Sequence, residues 1–306
     1  MITLSNLSYS YGEKAVLAHL DTQFEEGSFY AIMGANGCGK TTLLRLVAGL
    51  LAPQEGTVML DNTNVRHYSA RQLAQRMAFV RQHPHTDFEF SAFETVLMGR
   101  NPYQRRLQNE SEADWQIVEQ CLRQTNTWHL RFAKPNEMSG GELQRVMIAR
   151  ALAQQTPILL LDEPVSNLDI AHQFEILDLL RHINREQHKT ILLVIHDLNM
   201  AWQYCDRLLL LHQGGIQYQG PTREASRPTT LPPSLVSLPP SLATTSTSAL
   251  VICHEAHIVV YRILLSLFVG FCHRTGKRCA LLSRSAVVAF GKTCRFRFVI
   301  VCHATE

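Results

Sequence analysis

No run of about 18 apolar residues occurs in this chain, so the sequence offers no helix able to cross a bilayer. Met1 to Lys14 lack a basic segment followed by an apolar core, which argues against a secretory signal and predicts a protein made and kept in the cytoplasm. None of the 8 cysteines stands in a CxxC pair, which removes a zinc ribbon or a thioredoxin-like redox site. The one metal-like cluster, Cys253-His254-Glu255-Ala256-His257, spaces its histidines three apart, where the helical zinc motif needs four. A basic surface is lacking as well. The net charge is +3, but residues 221–306 hold ten Lys and Arg against three Asp and Glu, and the remaining 19 and 23 leave residues 1–220 at −4. A nucleic-acid footprint on those residues is therefore not expected.

What is present begins at Gly34. Gly34-Ala35-Asn36-Gly37-Cys38-Gly39-Lys40-Thr41 spells the GxxxxGK[ST] loop that cradles phosphates. Glycines let the backbone wrap an anion closely, so that its N–H groups and the following helix N-terminus face the charge. Lys40 adds a point charge for the β- and γ-phosphates, and the Thr41 hydroxyl is a Mg²⁺ ligand of the right hardness. The context agrees: an apolar strand from Phe29 to Met33 leads in, and a helical pattern from Thr41 to Ala48 leads out. Gly34, Asn36, Gly37, Cys38, Gly39, Lys40, Thr41 and Thr42 are thus the expected contacts for a nucleoside triphosphate and its Mg²⁺.

A second motif, Ser139-Gly140-Gly141-Glu142-Leu143-Gln144, precedes a helical stretch to about Ala153. Beyond it, Ile158-Leu159-Leu160-Leu161 delivers Asp162-Glu163. Four apolar residues in a row, without alternation, suit a parallel strand covered on both faces. A carboxylate at the carboxyl end of such a strand sits where open α/β sheets bind ligands. Alone, a Ser-Gly-Gly turn or an Asp-Glu pair says little. In this order and spacing they resemble the ATP-binding cassette (ABC) ATPases, with Ser139 to Gln144 as the signature and Asp162-Glu163 closing the Walker B strand. The resemblance covers about Met1 to Gly220.

That resemblance implies further roles. Tyr11 stands where the family stacks an aromatic on adenine; Gln82 matches the Q-loop glutamine, a contact to Mg²⁺ and water that reports to a transmembrane partner. Asp169, in Ser166-Asn167-Leu168-Asp169, matches the D-loop aspartate, and His196 the switch histidine at the γ-phosphate. Glu163, His196 and Gln82 are then the catalytic group, and Thr41, Gln82 and Asp162 the metal group. Ser139, Gly140, Gly141, Gln144 and Asp169 join the nucleotide contacts from a second copy of the chain, facing the first head to tail. The family's other partners would be transmembrane permeases and, indirectly, a periplasmic or surface substrate-binding protein, placing this subunit peripherally on the cytoplasmic face of the membrane. Val96 to Tyr103 and Asp169 to Gln173 look like the subfamily that powers uptake of iron–siderophore, haem or vitamin B12 complexes. A soluble ABC-type interaction ATPase and a damaged product are the competing readings. Neither a second cassette nor a coiled-coil insertion between Lys40 and Ser139 supports the first.

The expected fold is α/β: a P-loop NTPase cassette over residues 1–220 with an antiparallel β subdomain and an inserted α-helical subdomain. Period-2 alternation in the first 30 residues (Ile2, Leu4, Leu7; Val16, Leu20, Phe24) marks the antiparallel strands. Helical periodicity without clear strands marks the insert, about 84–150, and Phe174, Leu177, Leu180 and Ile183 stripe a further helix. Residues 221–248, with paired prolines at Pro232-Pro233 and Pro239-Pro240, read as a Pro/Ser/Thr-rich linker. Residues 249–306 carry five of the cysteines and no Asp, and Ile263 to Cys272 is too short to span a membrane. This irregular tail is open to three accounts: disordered or accessory strands, a membrane-surface element, or a shifted reading frame.

Overall fold

The computed structural model describes residues 1–82, 90–104, 110–166 and 168–225, and the backbone of 282–290 and 294–301. Two sheets build the first part. Strands β1 (Ile2–Tyr11), β2 (Lys14–Phe24), β4 (Glu55–Leu60) and β5 (Thr63–Asn64) form a four-stranded antiparallel sheet in the order β2-β1-β4-β5. The alternating apolar residues do what their period demands, with Leu4, Leu7, Leu17, Leu20 and Phe24 all buried. Asn6 and His19 take the left-handed conformation near register shifts between β1 and β2.

The second sheet has six strands in the order β10-β9-β3-β8-β7-β6. Its parallel members are β3 (Phe29–Gly34), β6 (Met77–Val80), β7 (Ile158–Asp162), β8 (Thr190–Val194) and β9 (Arg207–His212); β10 (Gly215–Pro221) closes the edge antiparallel to β9. Successive residues of β7 face opposite cores. Leu159 and Leu161 join one hydrophobic cluster, Ile158 and Leu160 the other. The same split separates Ile191 and Leu193 from Leu192 and Val194 in β8, which is why neither strand alternates with polar residues.

Helices cover both faces. Helix α1 (Lys40–Val47) follows β3, α2 (Ala70–Ala74) precedes β6, and α6 (Ile170–Gln187), α7 (Leu198–Tyr204) and α8 (Thr222–Ala225) complete the core. The helical insert contributes α3 (Ala92–Leu97), α4 (Glu112–Gln124) and α5 (Gly140–Ala153), and no strand among its described residues. Ser91, Ser111 and Ser139 each begin one of these three helices with a capping box closed by Glu94, Asp114 and Glu142.

The ordered cassette runs a few residues past Gly220. Ala225 is buried in the same cluster as β9 and α7, so the first residues of the stretch read as linker belong to the core. The rest of that linker, the Cys253–His257 cluster and Ile263 to Cys272 lie outside the described residues. A separate unit spans Pro240–Glu306. Within it β11 (Leu282–Phe290) and β12 (Cys294–Val301) pair antiparallel. Alternating Arg and Phe in Arg295 to Phe298 carry the period-2 pattern of that second strand.

Leu192 lies fully buried in the central strand β8. Leu192→Ala should therefore lower unfolding stability by about 2–5 kcal/mol, the loss of transfer energy plus a cavity, measured by urea denaturation.

Candidate functional site

The phosphate loop joins the carboxyl end of β3 to α1. Gly34 has φ 149, and a Cβ there would stand 2.4 Å from the Leu211 carbonyl oxygen and 2.6 Å from Cys38 Sγ. At Gly39, φ 103, a Cβ would meet Leu17 at 2.5 Å. Both positions need glycine, for conformation and for space. Gly37, by contrast, faces open space. Lys40 is 5% exposed, and its Nζ donates to the Gly34 and Ala35 carbonyls at 2.9 and 3.1 Å. The ammonium is thus folded back over its own loop. Burial pushes the Cys38 thiol up, so the cysteine acts as packing under the loop and not as a thiolate.

Strand register then brings four more side chains to the same edge. Val194 pairs with Ile32 of β3 and with Asp162 of β7, while Val80 of β6 pairs with Leu161. One or two residues beyond these pairs stand Gly34, His196, Glu163 and Gln82. The Thr41 hydroxyl donates to Asp162 Oδ1 at 2.8 Å. Gln82 Nε2 donates to Glu163 Oε2 at 2.7 Å, and His196 Nε2 lies 2.7 Å from Glu163 Oε1. Glu163 itself is left-handed, φ 49, and Ser166 closes the turn behind it by donating from Oγ to the Glu163 carbonyl at 2.8 Å. Burial raises the Asp162 carboxyl above its ordinary range; the Thr41 hydrogen bond opposes this, and Arg45 and Lys40 pull the same way as Thr41. A cavity of ≈ 510 Å³ opens beside this group, lined by Thr41, Arg45, Arg81, Gln82 and Asp162 among others.

The signature forms a separate group. Ser139 is the N-cap of α5: its hydroxyl donates to Glu142 Oε2 at 2.7 Å and accepts from the Glu142 N–H at 3.3 Å. The Ser139 backbone N–H, donating to the same Glu142 Oε2 at 2.8 Å, together with the Ser139 hydroxyl holds the Glu142 carboxyl below its ordinary range. Gly141 lies against His172, whose ring a Cβ would meet at 2.8 Å. Asp169 caps α6 and holds His172 Nδ1 at 2.7 Å. Among the described residues no hydrogen bond joins the signature group to the phosphate-loop group. The two groups stand apart on one chain.

The structure thus gathers Lys40, Thr41, Gln82, Asp162, Glu163 and His196, and separately Ser139, Gly140, Gly141 and Asp169. Tyr11 is 47% exposed and meets Tyr9 edge to face at 5.0 Å; it ends β1 opposite Lys14. Two residues later in that hairpin, Val16 and Leu17 reach Gly39, which sets the hairpin beside the phosphate loop. Gln144 departs from its group: it is 6% exposed, with Nε2 buried and unpartnered, so it faces inward from α5. Asn167 lies outside the described residues. Sequence reasoning passed over Arg45 and the turn-closing role of Ser166. Arg45 was legible as the residue four past Thr41, hence on the same helix face. Ser166 acts through a turn that no motif spells.

The ABC transporter family model matches residues 17–166. The achromobactin transport ATP-binding protein CbrD of Dickeya dadantii (strain 3937) is 42% identical over 223 residues, 73% of this chain and 83% of that protein. The ferric enterobactin transport ATP-binding protein FepC of Escherichia coli (strain K12) is 39% identical over 218 residues, 71% of this chain and 80% of that protein. Among solved structures, the dimeric cassette MJ0796 bound to ADP and Pi superposes with TM-score 0.64 at 32% identity, covering 73% of this chain and 99% of that one. An inward-facing ABC transporter described as metal-chelate type gives 0.66 at 30% identity, covering 75% and 86%.

Gln82→Ala and His196→Ala each strip one partner from the Glu163 carboxylate. Each should slow nucleotide hydrolysis by about a hundredfold, the scale of a misplaced general base. Affinity for a fluorescent ATP analogue should fall far less than turnover, because the phosphate loop, which neither side chain touches, stays intact.

Proposed function

The chain belongs to the ABC transporter family of ATP-hydrolysing subunits, and from that premise we propose that it drives a membrane importer of metal chelates such as iron–siderophore complexes. The similarity to CbrD and FepC supports the cargo class. The observation that carries the ATPase reading is the grip of Gln82 and His196 on opposite oxygens of Glu163, one residue beyond an Asp162 held by Thr41.

Each step belongs to a named group. Nucleotide phosphates draw Lys40 off the Gly34 and Ala35 carbonyls, exchanging two neutral acceptors for anionic ones. Thr41 and Asp162 offer the hard oxygen donors that Mg²⁺ takes, and the cation accepts few protein ligands when phosphates and water supply the rest. Bound there, Mg²⁺ would neutralise charge developing on the β- and γ-oxygens. A carboxylate has about four lone-pair sites, so Glu163 keeps capacity for the attacking water after bonding Gln82 and His196. Those two bonds orient Glu163 toward an in-line water without occupying it fully. The second copy closes the site with the N-terminus of its α5, where Ser139-Gly140-Gly141 present backbone N–H groups and the positive end of the helix dipole to the γ-phosphate. ATP closes such a dimer and hydrolysis opens it, and permeases bound to the two copies follow that motion.

Glu163→Gln tests the reading. It keeps Lys40, Thr41 and Asp162, so ATP should bind with unchanged affinity while turnover falls to background. The protein should then shift to a dimer on size-exclusion chromatography with Mg²⁺-ATP. Normal turnover in this variant would sink the role given to Glu163. Mixing Lys40→Ala with Ser139→Arg tests the head-to-tail arrangement, since one intact composite site reappears only in the mixed dimer. Partial recovery of ATPase on mixing, with neither variant active alone, is the expected outcome.

A further inference from the structure

A cluster of polar contacts remains outside the site, at the far end of α5 from the signature. Arg100 is 6% exposed. Its Nη1 donates to the Ala153 carbonyl at 2.7 Å and to Gln155 Oε1 at 2.9 Å, and its Nε donates to Asp114 Oδ1 of α4 at 2.8 Å. The guanidinium lies over the Tyr103 ring, 4.2 Å from its centroid, and the Tyr103 hydroxyl donates to the Gln154 carbonyl at 2.7 Å. Burial acts against the Asp114 charge, but the hydrogen bonds from Arg100 and Ser111 outweigh it and hold that carboxyl below its ordinary range. Gly99 allows the approach: a Cβ there would stand 2.3 Å from the Arg150 carbonyl oxygen of α5.

The same turn is fastened to the nucleotide-binding core. The Pro102 carbonyl accepts from Arg71 Nε at 2.8 Å and from Gln75 Nε2 at 2.7 Å; Arg71 Nη2 reaches the Gln104 carbonyl at 2.8 Å. Gln154 returns the tie, donating from Nε2 to the Ala74 carbonyl at 2.8 Å. Residues 99–104 therefore bracket the carboxyl end of α5 to α2, and α2 leads directly into β6 and Gln82.

We infer that Arg100 is a positioning residue for the signature half of the composite site, acting through α5. The helix has 14 residues and is about 21 Å long, so a tilt of about 5° at its carboxyl end moves the signature by about 2 Å. A displacement of about 1 Å at a reacting centre already costs about a hundredfold in rate. A bracket that fixes the end of this lever thus governs whether Ser139, Gly140 and Gly141 meet the γ-phosphate of the partner. A flexible lysine would keep charge opposite Asp114 but lose the fork that spans Asp114, Ala153 and Gln155 at once. Structural support alone explains the cluster less well, because a buried ion pair adds little net stability over an apolar replacement.

The inference rests on the head-to-tail dimer proposed above, and mixing experiments separate the two. Arg100→Lys in the full chain should lower ATPase turnover between about tenfold and a hundredfold, with unchanged affinity for a fluorescent ATP analogue. Mixed with Lys40→Ala it should recover activity, since its intact phosphate loop meets an intact signature. Mixed with Ser139→Arg it should recover none. Tyr103→Phe, which removes only the hydroxyl on Gln154, should sort the same way with a smaller loss and guards against misfolding of the arginine variant. Recovery with Ser139→Arg, failure with Lys40→Ala, or a fall in ATP affinity matching the fall in turnover would each overturn the role of Arg100. Should Lys40→Ala and Ser139→Arg fail to complement each other, the dimer reading falls first and this inference with it.

Discussion

The in-register parallel pairing of β6, β7, β8 and β3 is the constraint on which the site depends. Because all four strands run the same way, their carboxyl ends share one edge, and side chains up to 162 residues apart in sequence arrive there together. A slip of one residue in any strand would turn its buried residues to the opposite face. Here both faces are packed, with Leu160 and Leu192 on one side and Leu159 and Leu193 on the other, so a slip would mismatch two cores at once. The register is held by hydrophobic packing on both sides, and the catalytic geometry follows from it.

Charge in this edge is held at a cost. Asp162 is 4% exposed, and burial, with the neighbouring Glu163 charge, raises its carboxyl even against the pull of Thr41, Arg45 and Lys40. Glu163, in the same turn, is fastened from two sides and bent into the left-handed region. Such strain persists only where neighbours over-determine it, here Gln82, His196 and Ser166. Separation of the signature from this edge has the opposite character: its cap is satisfied within α5, and its glycine packs on His172 of its own chain.

Much of this was legible along the chain. GxxxxGKT between a strand and a helix carries its own mechanism, and the apolar run before Asp162-Glu163 suited a strand buried on both faces. Helix α5 announced itself through Ser139 and Glu142, a capping box three residues apart. Gln144 was less legible. Its place in the signature pointed to the nucleotide, whereas helical periodicity turns position 144 inward, five residues along from the exposed cap. Ala225 likewise looked like the start of a linker because a short helix with one buried alanine leaves almost no pattern.

By itself the sequence marked the candidate residues for phosphate, metal and water, and the two loop glycines, Gly34 and Gly39, whose backbone leaves no room for a Cβ. Local spacing suffices for that, because a phosphate loop and a helix cap are built within eight residues of chain. The tertiary structure alone decided that Gln82 and His196 take opposite oxygens of Glu163, that the two groups stand apart on one chain, and that Arg100 clasps the end of α5. These are contacts between elements distant in sequence. Their geometry depends on how sheet and helices pack, which no local pattern encodes.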